Sequence, residues 1–270
     1  MKLCVLVDNA PGVHGELIAE HGLSIWVEHN DTQWLIDTGL SDAFAKNALQ
    51  LGIDIANVDY LVLSHGHIDH CGGLETFLSL NNKAKIYLSA NIGNNRYYST
   101  RHGEKRDISL NHSLIEKHHQ RFIFVDQNTN LNNNAKIVIT YPSHNPKPLA
   151  NSTLLANDSL DNFNHEIAVA MTTKSGVVII SPCSHNGVIN TINGCEDIQN
   201  VSHYIGGTHL VDGYESEEDL QQLATTLKKR YPQLTLISGH CTGERAKMVF
   251  RKVIKDKFLE FYTNFSLVIE

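Results

Sequence analysis

What this sequence has little of narrows its class before any motif is read. Its 270 residues hold only five cysteines, Cys4, Cys71, Cys183, Cys195 and Cys241, an odd number, widely spaced, with no segment that reads as a secretion signal. A disulfide-stapled secreted framework is excluded, and reduced thiols in a cytoplasmic protein are expected. Long apolar runs are missing too. The opening run Leu3 to Val7 breaks at Asp8 and Asn9, too short for a signal-peptide core, and nothing later approaches the ~20 apolar residues of a membrane span. Positive charge is scarce: 22 Lys and Arg stand against 29 Asp and Glu, a formal net charge of −7, which argues against a general binder of nucleic acid or anionic membranes. A composition of 41% hydrophobic and 19% charged residues is ordinary for a globular protein and excludes disorder, collagen and coiled coil.

What the chain does have is histidine, 16 in all, and several stand where strands should end. Leu23 to Glu28 and Gln33 to Ile36 read as a hairpin joined by His29-Asn30-Asp31-Thr32, the second strand ending at Asp37-Thr38-Gly39. Ser41 caps an expected helix over Asp42 to Gln50, stopped by Gly52. Val58 to Leu63 is a continuous apolar run suited to a strand buried on both faces. Lys85 to Ser89, Phe122 to Val125 and Ile137 to Tyr141 are further strands, the last two flanking an Asn-rich turn at Asn128 to Asn134. Asn91 to Gln120 has no clear assignment, and Pro142 to Asn164 reads as a long loop. Glu166 to Thr172 and Val177 to Ser181 form a second hairpin around Lys174-Ser175-Gly176. A short helix over Gly187 to Gly194, a strand at His203 to Gly207 and a helix over Glu215 to Lys229 follow. Leu234 to Ser238, a helix over Gly243 to Lys255 and a closing strand Phe265 to Ile269 complete the chain. With no internal repeat and no linker, one α/β domain spanning residues 1–270 is expected, with a variable, substrate-selecting insertion at about 91–164.

The chemistry is concentrated in His65-x-His67-x-Asp69-His70, which runs straight out of the buried strand and into the helix opened by Gly72-Gly73. Neutral imidazoles and a carboxylate bind zinc or a similar divalent ion at about 2.0–2.2 Å, and a tight turn can aim alternate side chains at two neighbouring ions. Solvated loop histidines would not need this strand-motif-helix setting.

These four residues resemble the hallmark of the metallo-β-lactamase fold superfamily, with Asp37 matching its earlier strand-ending Asp. More narrowly, Asp37-Thr38-Gly39, Ser64 to His70, Cys183-Ser184-His185-Asn186-Gly187, Gly206-Gly207-Thr208-His209 and His240-Cys241-Thr242-Gly243 are similar to the subfamily named for 7,8-dihydropterin-6-yl-methyl-4-(β-D-ribofuranosyl)aminobenzene 5′-phosphate synthase. The resemblance covers most of the chain and is weak from about Asn91 to Asn164. It implies an α/β fold of the four-layer αβ/βα sandwich type and a dinuclear centre of two divalent ions: zinc, with manganese, iron or magnesium as alternatives. His65 and His67 would serve one ion, Asp69 and His70 the other, and His240 would complete the second site.

The usual bridging carboxylate has no counterpart, so Cys183 or His185 must stand in or the position is empty. In the register of the second hairpin His165 faces Ser184, which would bring His165, Cys183 and His185 together at its open end. His165 and His185 are accordingly expected ligands, with Cys183 beside them. Asp37 is expected to fix a histidine ring from behind. Asp69 and His209 are the candidate catalytic groups, His209 as a substrate contact or proton donor. Arg96, Arg101, Lys105 and Arg106 form a basic cluster in an acidic chain, a candidate clamp for a substrate phosphate.

The expected function is metal-dependent hydrolysis, or a related transfer, of a small phosphorylated substrate through a metal-bound hydroxide. The subfamily's pterin condensation is the alternative reaction, and a non-catalytic metal- or ligand-sensing module the alternative class. Di-iron oxygen reductases share the fold but carry Glu where this chain has His67. No nucleic-acid or membrane partner is expected.

Overall fold

The structure, a computed structural model, describes residues 1–12, 17–140, 145–195 and 200–270. His14, Tyr141 at the end of one expected strand, and the start of the expected 142–164 loop lie outside the described residues. Two compact units divide the chain. The first comprises Met1–Asp126, Thr153–Ile167 and Tyr262–Glu270, the second Gln127–Ser152 and Ala168–Phe261.

The first unit is built on a seven-stranded sheet, in the order Ser266–Val268, Lys2–Val7, Ser24–His29, Thr32–Ile36, Tyr60–Val62, Lys85–Ser89 and Phe122–Val125. The first three pairings are antiparallel and the last three parallel. Its hairpin turns through Asn30 and Asp31, both in the left-handed region at φ 50° and 57°, as a two-residue turn matched to strand twist demands. Helix Ala43–Gln50 starts beside Ser41, whose Oγ accepts from the Ala43 N–H. Phe44, Leu61, Leu63, Leu74, Phe77, Ile86 and Leu88 are fully buried in one core. Each such side chain contributes roughly 1.5–3 kcal/mol, enough to hold a sheet edge rigid.

The second unit repeats the pattern: Phe258–Glu260, Thr235–Ser238, Val201–Ile205, Gly176–Ile180, Ile167–Thr173, Ala135–Ile139 and Thr129–Asn132 form its sheet. An antiparallel hairpin, Ile167–Thr173 with Gly176–Ile180, feeds three parallel pairings. Helix Glu217–Arg230 opens with a capping box between Ser216 and Asp219, acidic in its first turn and basic in its last, which complements the helix dipole. Helix Glu244–Ile254 buries Ala246, Val249 and Phe250.

Three expectations change. The unassigned segment and the long loop contain a small four-stranded sheet of the first unit, Ser159–Leu160, Leu154–Ala156, Tyr97–Ser99 and Arg106–Asp107. Strands of two or three residues are too short to show periodicity. Part of the Asn-rich turn is the edge strand Thr129–Asn132, and Phe258–Glu260 is a further strand that the sequence did not announce. No helix among the described residues is long and apolar enough to cross a membrane.

Candidate metal centre

In the first unit the buried strand Tyr60–Val62 delivers Ser64 and His65 at its C-terminal edge, and one helical turn, Ile68–Cys71, carries Asp69 and His70. His65, His67 and His70 are all at most 4% exposed. The His65 ring centroid lies 4.5 Å from that of His67 and 4.2 Å from that of His70. Gly66 permits this crowding, because any side chain there would collide with the Tyr97 ring.

Asp37 sits behind the cluster, fully buried and with φ 59°. Its Oδ1 accepts from the Ser64 N–H at 2.7 Å, and its Oδ2 takes the Ser64 hydroxyl and His70 Nδ1, each at 2.6 Å. Ser64 Oγ is also 2.8 Å from His65 Nδ1. The Nδ1 atoms of His65 and His70 are thus engaged, which orients the rings, and His70 Nε2 is turned toward Asp69 Oδ2 at 3.5 Å.

His165 belongs to this unit. Its Nε2 lies 2.9 Å from Asp161 Oδ2, and its Nδ1 accepts from the Gly66 N–H at 3.3 Å. Asp161, which sequence reasoning missed, also approaches His67 Nε2 at 3.9 Å. The donor atoms of His67, Asp161 and His165 lie within 4.8 Å of one another. The one sequence signal was a carboxylate four residues before His165. Burial works against the Asp161 charge, but the His165 and His67 rings hold its carboxyl well below the usual carboxylate range. Burial lowers the pKa of His67 against the pull of Asp161 and Asp69, favouring the neutral imidazole that binds metals.

The expected pairing of His165 with Ser184 does not form. The hairpin ladder begins at Val169 opposite Ile180. Before it, the Ile167 N–H goes to Ser64 O, and beyond it the Ser181 N–H goes to Ile205 O. Both strands leave the hairpin before the register could reach His165.

In the second unit three of the four parallel strands end in candidate groups. Cys183 and His185 follow Gly176–Ile180, His209 follows Val201–Ile205, and His240 follows Thr235–Ser238. Ser184, His209 and His240 have φ of 59°, 52° and 52°, conformations that cost a non-glycine residue of order 1–3 kcal/mol and cluster at functional sites. Hydroxyls hold these turns: Ser184 Oγ donates to Gly207 O at 2.6 Å and meets Tyr204 Oη at 2.7 Å, and Ser238 Oγ donates to Gly206 O at 2.7 Å. His185 Nδ1 is 3.1 Å from Asn151 Oδ1, and its ring centroid is 4.1 Å from that of His209. The donor atoms of Cys183, His185 and His209 fall within 4.8 Å of one another, as do those of Cys183, His240 and Cys241.

The basic cluster lies on and around the small sheet. Arg96 pairs with Asp107, and Lys105 lies 3.1 Å from Asp158 and over the Tyr98 ring at 4.0 Å. Arg106 is exposed and Arg101 half-buried.

The donors suit a divalent ion. The polar partners of the buried carboxylates Asp37 and Asp161 are imidazoles, a hydroxyl and backbone N–H groups rather than Lys or Arg, and neutral imidazole with carboxylate is a borderline-hard donor set of the kind zinc, iron and manganese accept.

The family model described as metallo-beta-lactamase superfamily matches residues 17–148, a stretch that includes Asp37 and the His65 to His70 motif. A Methanocaldococcus jannaschii protein named 7,8-dihydropterin-6-methyl-4-(beta-D-ribofuranosyl)-aminobenzene-5'-phosphate synthase is 27% identical over 96% of this chain and 93% of its own. The crystal structure of a metal-dependent hydrolase of the beta-lactamase superfamily aligns over 100% of this chain and 99% of its own, with TM-score 0.83 and 27% identity. A diphosphatase of the PhnP family, 13% identical over 100% and 98% of the two chains with TM-score 0.56, shares the fold. Proteins of this fold commonly bind divalent metals and are generally enzymes acting on small molecules. The motif, the two sheets and these likenesses together give the chain the metallo-beta-lactamase fold and a resemblance to that superfamily.

Proposed function

We propose that this protein is a metal-dependent hydrolase of a small phosphorylated molecule. The observation that carries the reading is the buried group His65, His67 and His70, the first and last oriented through Ser64 and Asp37: three close imidazoles excluded from water serve no packing purpose that apolar residues would not serve better. The proposed ligands are His65, His67, Asp69 and His70, with His165, His185 and His240 on the family pattern. A divalent ion held there would lower the pKa of water to about 7 and polarise the group under attack. Asp69 would hold the proton of the attacking water, Asp37 would keep His70 in one tautomer, and His209 would donate to the leaving group. Arg101 and Arg106 would bind the phosphate. Zinc, a dinuclear centre and the cytoplasm remain parts of this proposal.

The full-length likeness to the synthase supports a second reading, condensation of a dihydropterin with an aminobenzene ribofuranosyl phosphate and loss of pyrophosphate. One assay separates the two. The metal-loaded protein is given a panel of phosphate mono- and diesters and, in parallel, a dihydropterin pyrophosphate with the aminobenzene acceptor. Ester turnover that depends on added metal supports the hydrolase, pyrophosphate release that needs both substrates supports the synthase, and inertness toward both would sink the enzymatic reading in favour of a sensing module.

A further inference from the structure

The second unit also contains a cavity of about 280 Å³ that none of the proposed metal ligands lines. It lies among the segment 145–149, the start of helix Val188–Gly194 and helix Glu217–Arg230. Leu220 and Leu223, three positions apart, share one face of the long helix, and with Val188 and Leu210 they make an apolar wall. The charged residues lining it are Lys147, Asp219 and Glu215. The Asp219 carboxylate is engaged in the capping box with Ser216. Glu215 differs. It is only 8% exposed, and its Oε1 takes the Leu149 N–H at 2.7 Å, but its Oε2, shielded from solvent, has no hydrogen-bond partner among the described residues. The near cation Arg245 bonds the backbone carbonyl of Glu215 at 3.2 Å rather than its carboxylate. Burial raises the pKa of the Glu215 carboxyl, with the Leu149 N–H and Arg245 opposing the rise and Asp219 adding to it. A buried carboxylate oxygen without a donor is costly, and holding Leu149 requires only the other one.

We propose that this cavity binds a small organic cation, an amidinium or ammonium carried on an apolar ring or chain, with Glu215 as its counter-charge. Small-molecule sites are mostly apolar concavities of ~300–1,000 Å³ with a few placed polar groups, and this cavity stands at the small end of that range. An inorganic divalent ion does not suit it, because one free carboxylate oxygen among leucines cannot replace a hydration shell. An organic anion is disfavoured by Glu215 and Asp219. A ligand N–H carrying positive charge gives Oε2 its donor and the buried charge its partner, and such a charge-assisted bond strengthens where water is kept out. The apolar body of the ligand would cover Leu210, Leu220 and Leu223. Because Oε2 is shielded, the contact forms with a side-chain shift, as is common on binding.

The probe is benzamidine, a flat apolar ring bearing an amidinium, and the control is benzamide, its neutral counterpart, each titrated calorimetrically into the full chain. Wild type should bind benzamidine with a Kd of ~1 mM or tighter. Benzamide should bind at least about tenfold more weakly, since it lacks the charged hydrogen bond. That comparison needs no variant. Glu215→Gln, which keeps an acceptor for the Leu149 N–H, should bind benzamidine at least about tenfold more weakly than wild type and benzamide no worse. Leu223→Trp, which fills the cavity and leaves Glu215 in place, should abolish benzamidine binding. No benzamidine binding by wild type, equal affinity for the two probes, equal benzamidine affinity in wild type and Glu215→Gln, or binding that survives Leu223→Trp would each overturn the cation site and leave Oε2 to a buried water. The hydrolase reading stands or falls separately, on the metal content and turnover of His67→Ala.

Discussion

The two units run the same course, an antiparallel hairpin into three parallel strands, yet they distribute their chemistry in opposite ways. The first packs four donors into six residues after one strand and surrounds them with buried partners, Asp37, Ser64 and Asp161. The second spends one turn per strand, placing Cys183 and His185, His209, and His240 after successive strands and holding each turn with hydroxyls and left-handed backbone. Both obey the rule that open α/β sheets present ligand-binding groups at the carboxyl ends of parallel strands. A compact motif makes one unit's donors interdependent, whereas scattered turns let single donors change with less effect on the rest.

That contrast can be broken most forcefully at His67. His67→Ala should lower metal content and abolish turnover, because the first unit's donors act together. Elemental analysis with a steady-state assay checks this, and full metal with full turnover would undo the ligand assignment. Asp37→Asn should be milder. The amide keeps one accepting oxygen, so its NH2 must face either the Ser64 N–H or the Ser64 hydroxyl and His70 Nδ1, and chelator competition should show metal affinity reduced ~10–100-fold, the usual worth of such a partner. Arg106→Ala leaves the metal alone and should weaken a phosphorylated ligand by ~1.5–3 kcal/mol in calorimetry, the value of a charged hydrogen bond. A ligand lacking the phosphate should lose far less, and equal losses would return Arg106 to an ordinary surface role. In the second unit Ser184→Ala should cost roughly 1–3 kcal/mol in denaturant unfolding, since Gly207 O loses its buried donor, while metal content stays close to wild type. A large loss of metal there would mean that the scattered turns are as interdependent as the compact motif.

The same contrast explains what could be read in advance. His65 to His70 was legible because the donors are contiguous, and the strand ends at Ile36 and Ser238, and to within one residue at Ile180, followed from apolar runs closed by glycine or polar residues. The register of the second hairpin was legible as far as Val169 opposite Ile180, but no pattern marked where its strands would part before the ladder reached His165. Asp161 sits in a polar stretch without periodicity. Cys183 and Cys241 are separated by 58 positions and meet only because parallel strands carry their turns to one end of a sheet. Contacts of that kind belong to topology, which a local pattern does not contain.

The first unit is discontinuous along the chain. Its edge strand Ser266–Val268 pairs with Lys2–Cys4, and Thr263 bonds both to the Asp8 N–H and carbonyl and to Ala10 O. During synthesis, therefore, the strand at the beginning waits for a partner made some 260 residues later, after every residue of the second unit has emerged. The second unit in turn is interrupted by residues 153–167, which belong to the first. Neither can be cut out as one continuous fragment, and contacts of such sequence separation slow folding because the intervening chain must be ordered first. The His65 to His70 motif, made within the first 70 of 270 residues, thus leaves the ribosome long before the unit that buries it is complete.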